Sequence, residues 1–292
     1  MEYFVLYNPK AGNGWNDELK QSVANKLDSK DLIFKDITEV DYLEFFEEIE
    51  KDSKIVLVGG DGTLNRFIND TDSFNFDNEI YYIANGSGND FLNDIKHNVD
   101  ENKPVLVNKY FENLPVVTVK GETKKFLNGI GYGIDGYCCE EGDKAKAKSD
   151  KAANYTAIAI KGLLYAFKPR NAKITVDGVT KEYKKVWLAP SMNGRFFGGG
   201  MMPTPDQDRL NAERKISLLV WHGTGKLKTL MHFPKIFEGA HTQYKKSCVV
   251  IKGKEIEVEF DKPCALQIDG ETVLDVKGYK AVSAKVKEKV KN

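Results

Sequence analysis

The stretch with the clearest chemical content is Gly59-Gly60-Asp61-Gly62-Thr63-Leu64-Asn65. Glycines at 59, 60 and 62 let the backbone approach a polyphosphate closely and aim several N–H groups at it. The segment follows the apolar run at 55–58 and leads into a helical pattern, whose positive end would point to the same place. Asp61 in such a loop can hold a phosphate-bridging magnesium ion, and Thr63 can donate its hydroxyl. A bare glycine-rich turn is the competing reading, and the buried strand before it argues against that. A second small-residue loop, Asn85-Gly86-Ser87-Gly88-Asn89-Asp90-Phe91, closes the next apolar run at 80–83. Its small residues suit phosphate or ribose contacts, and Asp90 can hold a substrate hydroxyl or a second metal. Taken alone, this loop reads equally well as a turn and helix cap.

Far along the chain stands Asp269-Gly270-Glu271. Phosphoryl transfer to a neutral alcohol needs a carboxylate to take the hydroxyl proton, and Glu271 is a candidate. Asp269-Gly270 is also a hairpin signal before residues 272–276, and the two readings are compatible, because a turn can present Glu271. Gly131-Tyr132-Gly133-Ile134-Asp135-Gly136 matches the spacing G-x-G-x-x-G, which carries weight only where it opens the helix of a βαβ unit. It lies beyond the α/β region and leads into Cys138, Cys139 and a charged stretch, so a structural turn is preferred. No Walker A sequence is present.

Elements must position these residues. Residues 3–7 form an apolar run ending in the turn-rich Asn8-Pro9-Lys10-Ala11-Gly12-Asn13-Gly14. Leu19, Val23 and Leu27 put an apolar stripe on a helix. A short strand at 32–34 ends near Thr38, and Asp41 with Glu44 resembles a capping box for a helix carrying Leu43, Phe46 and Ile49. Alternating strands and helices imply a parallel sheet, with the ligand beyond the carboxyl ends of its strands. From about Pro115 many short strands follow, at 116–119, 173–176, 186–188, 216–221, 249–251, 256–260 and 266–268. Asp177-Gly178 marks a hairpin, and helical patches at 153–167 and 225–238 interrupt the strands. Residues 144–151 read as a loop without a core face.

Composition narrows the class. Lysine plus arginine equals aspartate plus glutamate at 43 each, so no global charge points to nucleic acid. No window approaches the ~20 apolar residues of a transmembrane helix, and the strand-like run at 3–7, with no basic region and long apolar stretch, argues against a secretory signal. The four cysteines fit neither zinc spacing nor a disulfide framework. A cytoplasmic protein is expected. The basic stretches 144–151, 168–173 and 181–185 could meet anionic headgroups, with a solvated surface as the preferred reading.

The whole pattern resembles the diacylglycerol kinase catalytic family, which includes soluble bacterial lipid kinases. The resemblance rests on Asn8-Pro9-x-Ala11-Gly12, the loop from Gly59 to Asn65, Gly86-Ser87-x-Asn89-Asp90-Phe91, Gly131-x-Gly133-Ile134-Asp135, Asn193 with Gly198-Gly199-Gly200, and Asp269-Gly270-Glu271. It spans almost the whole chain. It implies a phosphofructokinase-like α/β domain at 1–114, binding ATP with Mg2+, and a mainly antiparallel β-sandwich lipid-substrate domain at 115–276. The chain's end, from about 277 to 292, would return to the first domain; Val282, Val286 and Val290 form a narrow stripe for that packing.

By the same resemblance, Asp61 and Asp90 are essential carboxylates and Glu271 the general base. Asn8, Pro9, Thr38, Gly59, Gly60, Asp61, Gly62, Thr63, Asn65 and Ser87 would contact the nucleotide. Two positions depart from the family pattern. Asn93 stands where many members carry a basic residue. After Pro205, the family's aspartate-glycine metal loop is replaced by Asp206, Asp208 and Asn211, with Asp206 and Asp208 as the remaining candidate ligands beside Asp61. The implied activity is transfer of the γ-phosphoryl group to diacylglycerol or a related lipid, during peripheral and transient contact with a membrane. An NAD kinase, which shares the first glycine loop, and a non-catalytic nucleotide-binding regulator are the alternatives. A homodimer is left open.

Overall fold

In the computed structural model, which describes residues 2–12, 14–147 and 155–284, the first ten elements form one unit, Met1–Glu112. They are β1 (Tyr3–Tyr7), α1 (Asp17–Leu27), β2 (Leu32–Asp36), α2 (Tyr42–Glu48), β3 (Lys54–Gly59), α3 (Asp61–Asp70), β4 (Ile80–Ala84), α4 (Asp90–Ile95), β5 (Val105–Leu106) and α5 (Asn108–Phe111). The sheet order is β2-β1-β3-β4-β5. β1 to β4 run parallel, and β5 closes the edge antiparallel to β4. Val5, Leu6 and the run Ile55, Val56, Leu57, Val58 are essentially inaccessible, because a parallel sheet covered on both faces has no wet side.

Helix boundaries follow local chemistry. The Asn16 side chain accepts from the Leu19 N–H at 2.8 Å and starts α1, which buries Val23 and Leu27. Asp41 starts α2 by accepting from Leu43 and Glu44 N–H groups. The buried face of α2 differs from the expected stripe: Phe45 is buried and Leu43 is 60% exposed. The reason lies in the neighbours. Phe46 stacks on Phe76 at 4.3 Å, while Phe45 meets Phe4 edge-on at 5.4 Å and so faces the sheet.

The second unit, Asn113–Asn292, is dominated by antiparallel strands. In order it contains β6 (Val116–Val119), β7 (Glu122–Lys125), β8 (Gly129–Tyr132), α6 (Ile134–Lys146), α7 (Tyr155–Lys161), β9 (Arg170–Val176), β10 (Val179–Val186), β11 (Ser191–Met192), β12 (Ile216–Trp221), α8 (Lys226–His232), β13 (Cys248–Gly253), β14 (Glu255–Ile268) and β15 (Glu271–Val282). A π-helical turn, Gly162–Ala166, continues α7. The main path is β13-β12-β11-β8-β14-β15-β6-β7, and β9 with β10 branches from β14.

β14 organises this sheet. Its first half pairs with β9 and its second half with β8, while β15 follows both across register shifts between Glu259 and Leu266. That bulged segment, which contains Pro263, bends the strand. Residues from distant strands, including Val117, Ile174, Leu218 and Val258, therefore share one core. Residues 256–260 and 266–268, expected as two strands, are the two halves of this one.

Two other expectations change. Residues 144–146 are the last turn of α6, not loop; Lys144 pairs with Glu140 at 2.7 Å and Glu141 at 2.8 Å, the spacing that favours helix. Residues 148–151 lie outside the described residues. Residues 277–282, expected with the rest of the chain's end to return to the first domain, belong to β15, where Lys280, Ala281 and Val282 pair with Thr118, Val117 and Val116 of β6. Val286 and Val290 lie outside the described residues. No helix among the described residues is long and apolar enough to cross a membrane.

Candidate functional site

The ends of β1, β2, β3 and β4 bring their loops to the carboxyl edge of the first sheet. Asn8 leaves β1, its N–H donating to the Val58 carbonyl at 3.0 Å and its Nδ2 donating to Thr63 Oγ1 at 2.8 Å. Asn85 leaves β4 and donates its N–H to the Gly59 carbonyl at 2.7 Å, while its Nδ2 reaches the Ala11 carbonyl at 3.3 Å. The two glycine loops cross backbone against backbone. A Cβ on Gly86 would lie 2.6 Å from Gly60 Cα, so any larger residue there would force the loops apart. Gly62 is different. A Cβ there would meet nothing within 4 Å, and the residue is exposed on the first turn of α3.

Asp61 links the two loops. Its carboxylate accepts from the N–H groups of Asp90 at 2.9 Å and Phe91 at 2.8 Å, and so caps α4 from another helix. α4 has no side-chain cap of its own, because Asn89, at φ 49°, spends its side chain on Gly86 N–H and C=O. Asp61 and Asp90 are thus brought together, with Asp90 buried. A magnesium ion shared with phosphate oxygens and water fits Asp61 by the chemistry of its donor atoms, since Mg2+ is a hard cation that takes carboxylate oxygen and needs only one or two protein carboxylates.

The two threonines differ in polarity. Thr38 Oγ1 donates to Asp36 Oδ1 at 2.7 Å, and its N–H uses the same oxygen; its hydroxyl therefore offers an acceptor outward, suited to a ribose hydroxyl or an amine. Thr63 Oγ1 accepts from Asn8, which orients its own proton for donation, as a phosphate needs. Ser87 is exposed at the tip of the β4 loop, and Pro9 is half-buried after β1. Asn65 is on the buried side of α3, where its Oδ1 accepts from Asn69 at 3.3 Å. Sequence reasoning missed Tyr82. Buried beneath the loops, it donates its hydroxyl to the Gly59 carbonyl at 3.1 Å. Burial, and secondarily the Asp61 charge, push its pKa well up, so it stays a donor.

The second unit presents Glu271. Ile268 pairs with Glu271 across a two-residue turn, with Asp269 at φ 45° and Gly270 at φ 96°, both left-handed as a tight hairpin requires. The Glu271 side chain is 52% exposed and lies 3.3 Å from Lys124 Nζ on β7. Beneath it, the Asp269 carboxylate accepts the backbone N–H groups of Leu127, Asn128 (2.8 Å) and Gly129 (2.9 Å). Buried Arg209 donates to Asn128 Oδ1 at 3.0 Å, and Asn193 donates to the Leu127 carbonyl at 2.9 Å. The sequence showed Asp269 only as a turn residue; its grip on residues 127–129 is what fixes the hairpin.

Residues 2–119 match the model of the diacylglycerol kinase catalytic domain, and residues 128–285 match that of the YegS C-terminal NAD kinase beta sandwich-like domain. The chain belongs to the diacylglycerol kinase catalytic family. A Bacillus subtilis relative named "Putative lipid kinase YtlR" is 22% identical over 295 residues, covering 92% of this chain and 93% of its own. A Staphylococcus epidermidis relative named "Putative lipid kinase" is 26% identical over 231 residues, covering 76% of this chain and 71% of its own. A crystal structure of a Bacillus anthracis diacylglycerol kinase, 22% identical, gives a TM-score of 0.66 over 97% of this chain and 94% of that one. At that identity the likeness concerns the fold.

Within this diacylglycerol kinase family frame, the remaining positions have defined surroundings. Asn93 donates its Nδ2 to the Gly88 carbonyl at 3.1 Å and braces the second loop. Lys252 Nζ donates to the Asp206 carbonyl at 2.7 Å, and Asp208 Oδ1 accepts from Leu210 N–H. Asn211 crosslinks the same loop through the carbonyls of Asp208 and Lys215 at 2.7 and 2.9 Å. Among the described residues, no three His, Cys, Asp or Glu side chains converge as a metal site, and Asp206 and Asp208 are exposed. The G-x-G-x-x-G stretch does open a helix, α6, contrary to expectation. Its strand β8 pairs only antiparallel, however, so the unit is not βαβ. A Cβ on Gly136 would strike the Ala265 carbonyl, so that glycine serves close packing of α6 on β14.

Proposed function

We propose that the chain transfers the γ-phosphoryl group of ATP to the hydroxyl of diacylglycerol or a related single-hydroxyl lipid. The observation that carries this reading is the glycine-on-glycine crossing at the edge of the first sheet. It leaves Gly62, exposed on the first turn of α3, open to phosphate oxygens, with the oriented Thr63 hydroxyl buried just behind it. The relatives named as lipid kinases support the acceptor class.

In this reading the first unit binds the donor. N–H groups of the α3 turn and Thr63 hold the phosphates, and Thr38 accepts from the ribose or base. Asp61 would hold Mg2+, which when bound neutralises charge on the phosphate oxygens. Glu271 takes the proton of the acceptor hydroxyl as its oxygen bonds to the γ-phosphorus, and the bond to ADP breaks.

The test is to offer the purified protein labelled ATP and Mg2+ with diacylglycerol in micelles, sphingosine or NAD. Label in a lipid phosphate is expected. Label in NAD would replace this reading with an NAD kinase, and ATP binding without transfer would replace it with a regulator.

A further inference from the structure

The helical layer of the second unit is apolar on its outer side as well as its inner one. Inward, Leu163, Phe167 and Ile236 pack with Trp187 and Trp221. Outward, Tyr165 is 75% exposed, Leu227 76% and Met231 71%, with Ile160 also exposed. Leu227 and Met231 stand four residues apart on α8 and share a face. The π-helical turn carrying Tyr165 packs against α8, and Lys226 Nζ ties the two by donating to the Leu164 carbonyl at 2.9 Å. Single exposed apolar residues are ordinary, but several large ones on adjoining short helices make a patch.

The charge along the two segments that carry this patch is one-sided, although Glu140 of α6 lines the same pocket as Lys168 and Arg170. Residues 155–170 and 221–237 contain Lys161, Lys168, Arg170, Lys226, Lys228 and Lys235, and no aspartate or glutamate, in a chain whose charges otherwise balance at 43 each. Lys235 meets Glu238 just beyond, at 3.1 Å. Apolar side chains at the centre and lysines at the margin are what an interfacial helix presents to anionic lipid. A second copy of the chain fits poorly, because symmetric pairing would set the lysines against one another.

We propose that this outer face of α7, the π-helical turn and α8 docks on an anionic bilayer surface. Leu227, Met231 and Tyr165 enter at headgroup depth, and Lys161 and Lys228 meet lipid phosphates. The choice of a bilayer as partner rests on the lipid-kinase reading together with the charge. The face differs from the basic stretches at 168–173 and 181–185 in having an apolar centre, which gives an affinity that salt alone does not abolish.

The experiment uses the whole 292-residue chain in sedimentation with vesicles of phosphatidylcholine alone or with phosphatidylglycerol added. Two variants are compared with the parent: Leu227→Asp with Met231→Asp, and Lys161→Glu with Lys228→Glu. Circular dichroism and thermal unfolding check that each is folded. The parent is expected to favour anionic vesicles, the apolar variant to lose at least tenfold in binding, and the charge variant to lose about fivefold or more per lysine. Phosphotransfer to a water-soluble short-chain diacylglycerol is expected to persist in both variants while transfer to vesicle-borne lipid falls. Unchanged vesicle binding in both folded variants would overturn the proposal. So would a parent dimer that the apolar variant dissociates, which would make the patch a self-interface. If no acceptor is phosphorylated but binding falls as described, the docking face stands and the kinase reading fails.

Discussion

Asp61 carries a structural duty alongside the catalytic one proposed for it, because its two oxygens hold the first N–H groups of α4. Asp61→Ala should therefore cost about 1–2 kcal/mol of stability, as loss of a helix cap does, in addition to any loss of turnover. Asp61→Asn keeps one acceptor oxygen and should recover part of that stability without recovering the rate; urea unfolding beside a turnover assay separates the two. If Asp61→Ala unfolds at the parent's urea concentration, the capping role is wrong. Glu271 is the opposite case. It is half exposed and its pairing with Lys124 is a surface ion pair, worth at most about 1 kcal/mol. Glu271→Gln should leave the unfolding midpoint and ATP affinity nearly unchanged while abolishing turnover. A fall in affinity equal to the fall in rate would remove Glu271 from the role of base.

At the scale of elements, the glycines divide into those that let loops cross and one that leaves a surface open. Gly86→Ala puts a methyl group 2.6 Å from Gly60 Cα, against backbone that has no rotamer to yield. Overpacking of this kind costs about 1–3 kcal/mol, and parting the loops should weaken ATP binding. Gly62→Ala meets nothing, and in a helical turn it should stabilise by up to about 1 kcal/mol. If phosphates rest on that turn, ATP affinity still falls, so stability and affinity move in opposite directions. Affinity unchanged in Gly62→Ala, measured by calorimetry, would move the phosphates elsewhere. The sequence displayed both loops, since glycine and small polar residues at strand ends have few other uses. It did not display which glycine does which, because that depends on β4 lying next to β3 in the sheet. Tyr82 was hidden for a related reason: in a strand it looks like core, and only the loop folded above it uses its hydroxyl. Asp269 was half legible, its turn visible and its three backbone partners, some 140 residues away, not.

For the whole molecule, the alternation of strands and helices made the first sheet readable, while the second unit's bending at β14 depends on a register shift that no local pattern announces. The same unit holds an acid-sensitive point. His241 is fully buried, its ring stacked on Trp221 at 5.8 Å and its Nε2 3.0 Å from the Pro203 carbonyl. Burial holds its pKa below the ordinary 6.5, outweighing the opposing pull of that carbonyl. His222 and His232 are lowered in the same direction, again chiefly by burial. A depressed histidine pKa means that below about pH 6.5 the unfolded chain binds a proton which the folded chain refuses. Stability is therefore complete above that pH and declines as the pH falls towards the folded value, by at most about 1.4 kcal/mol per pH unit for one group. In the first unit, Glu79 is lowered by its bonds to Lys54 and then Tyr81, so its contribution is lost only below about 4.5. Between pH 7.5 and 5 the histidine term dominates, and Tm should fall across that interval. His241→Gln, which retains an N–H for Pro203, should lower Tm at pH 7.5 through poorer packing yet show a shallower decline towards pH 5. An identical decline in parent and variant would place the acid-sensitive group at another residue.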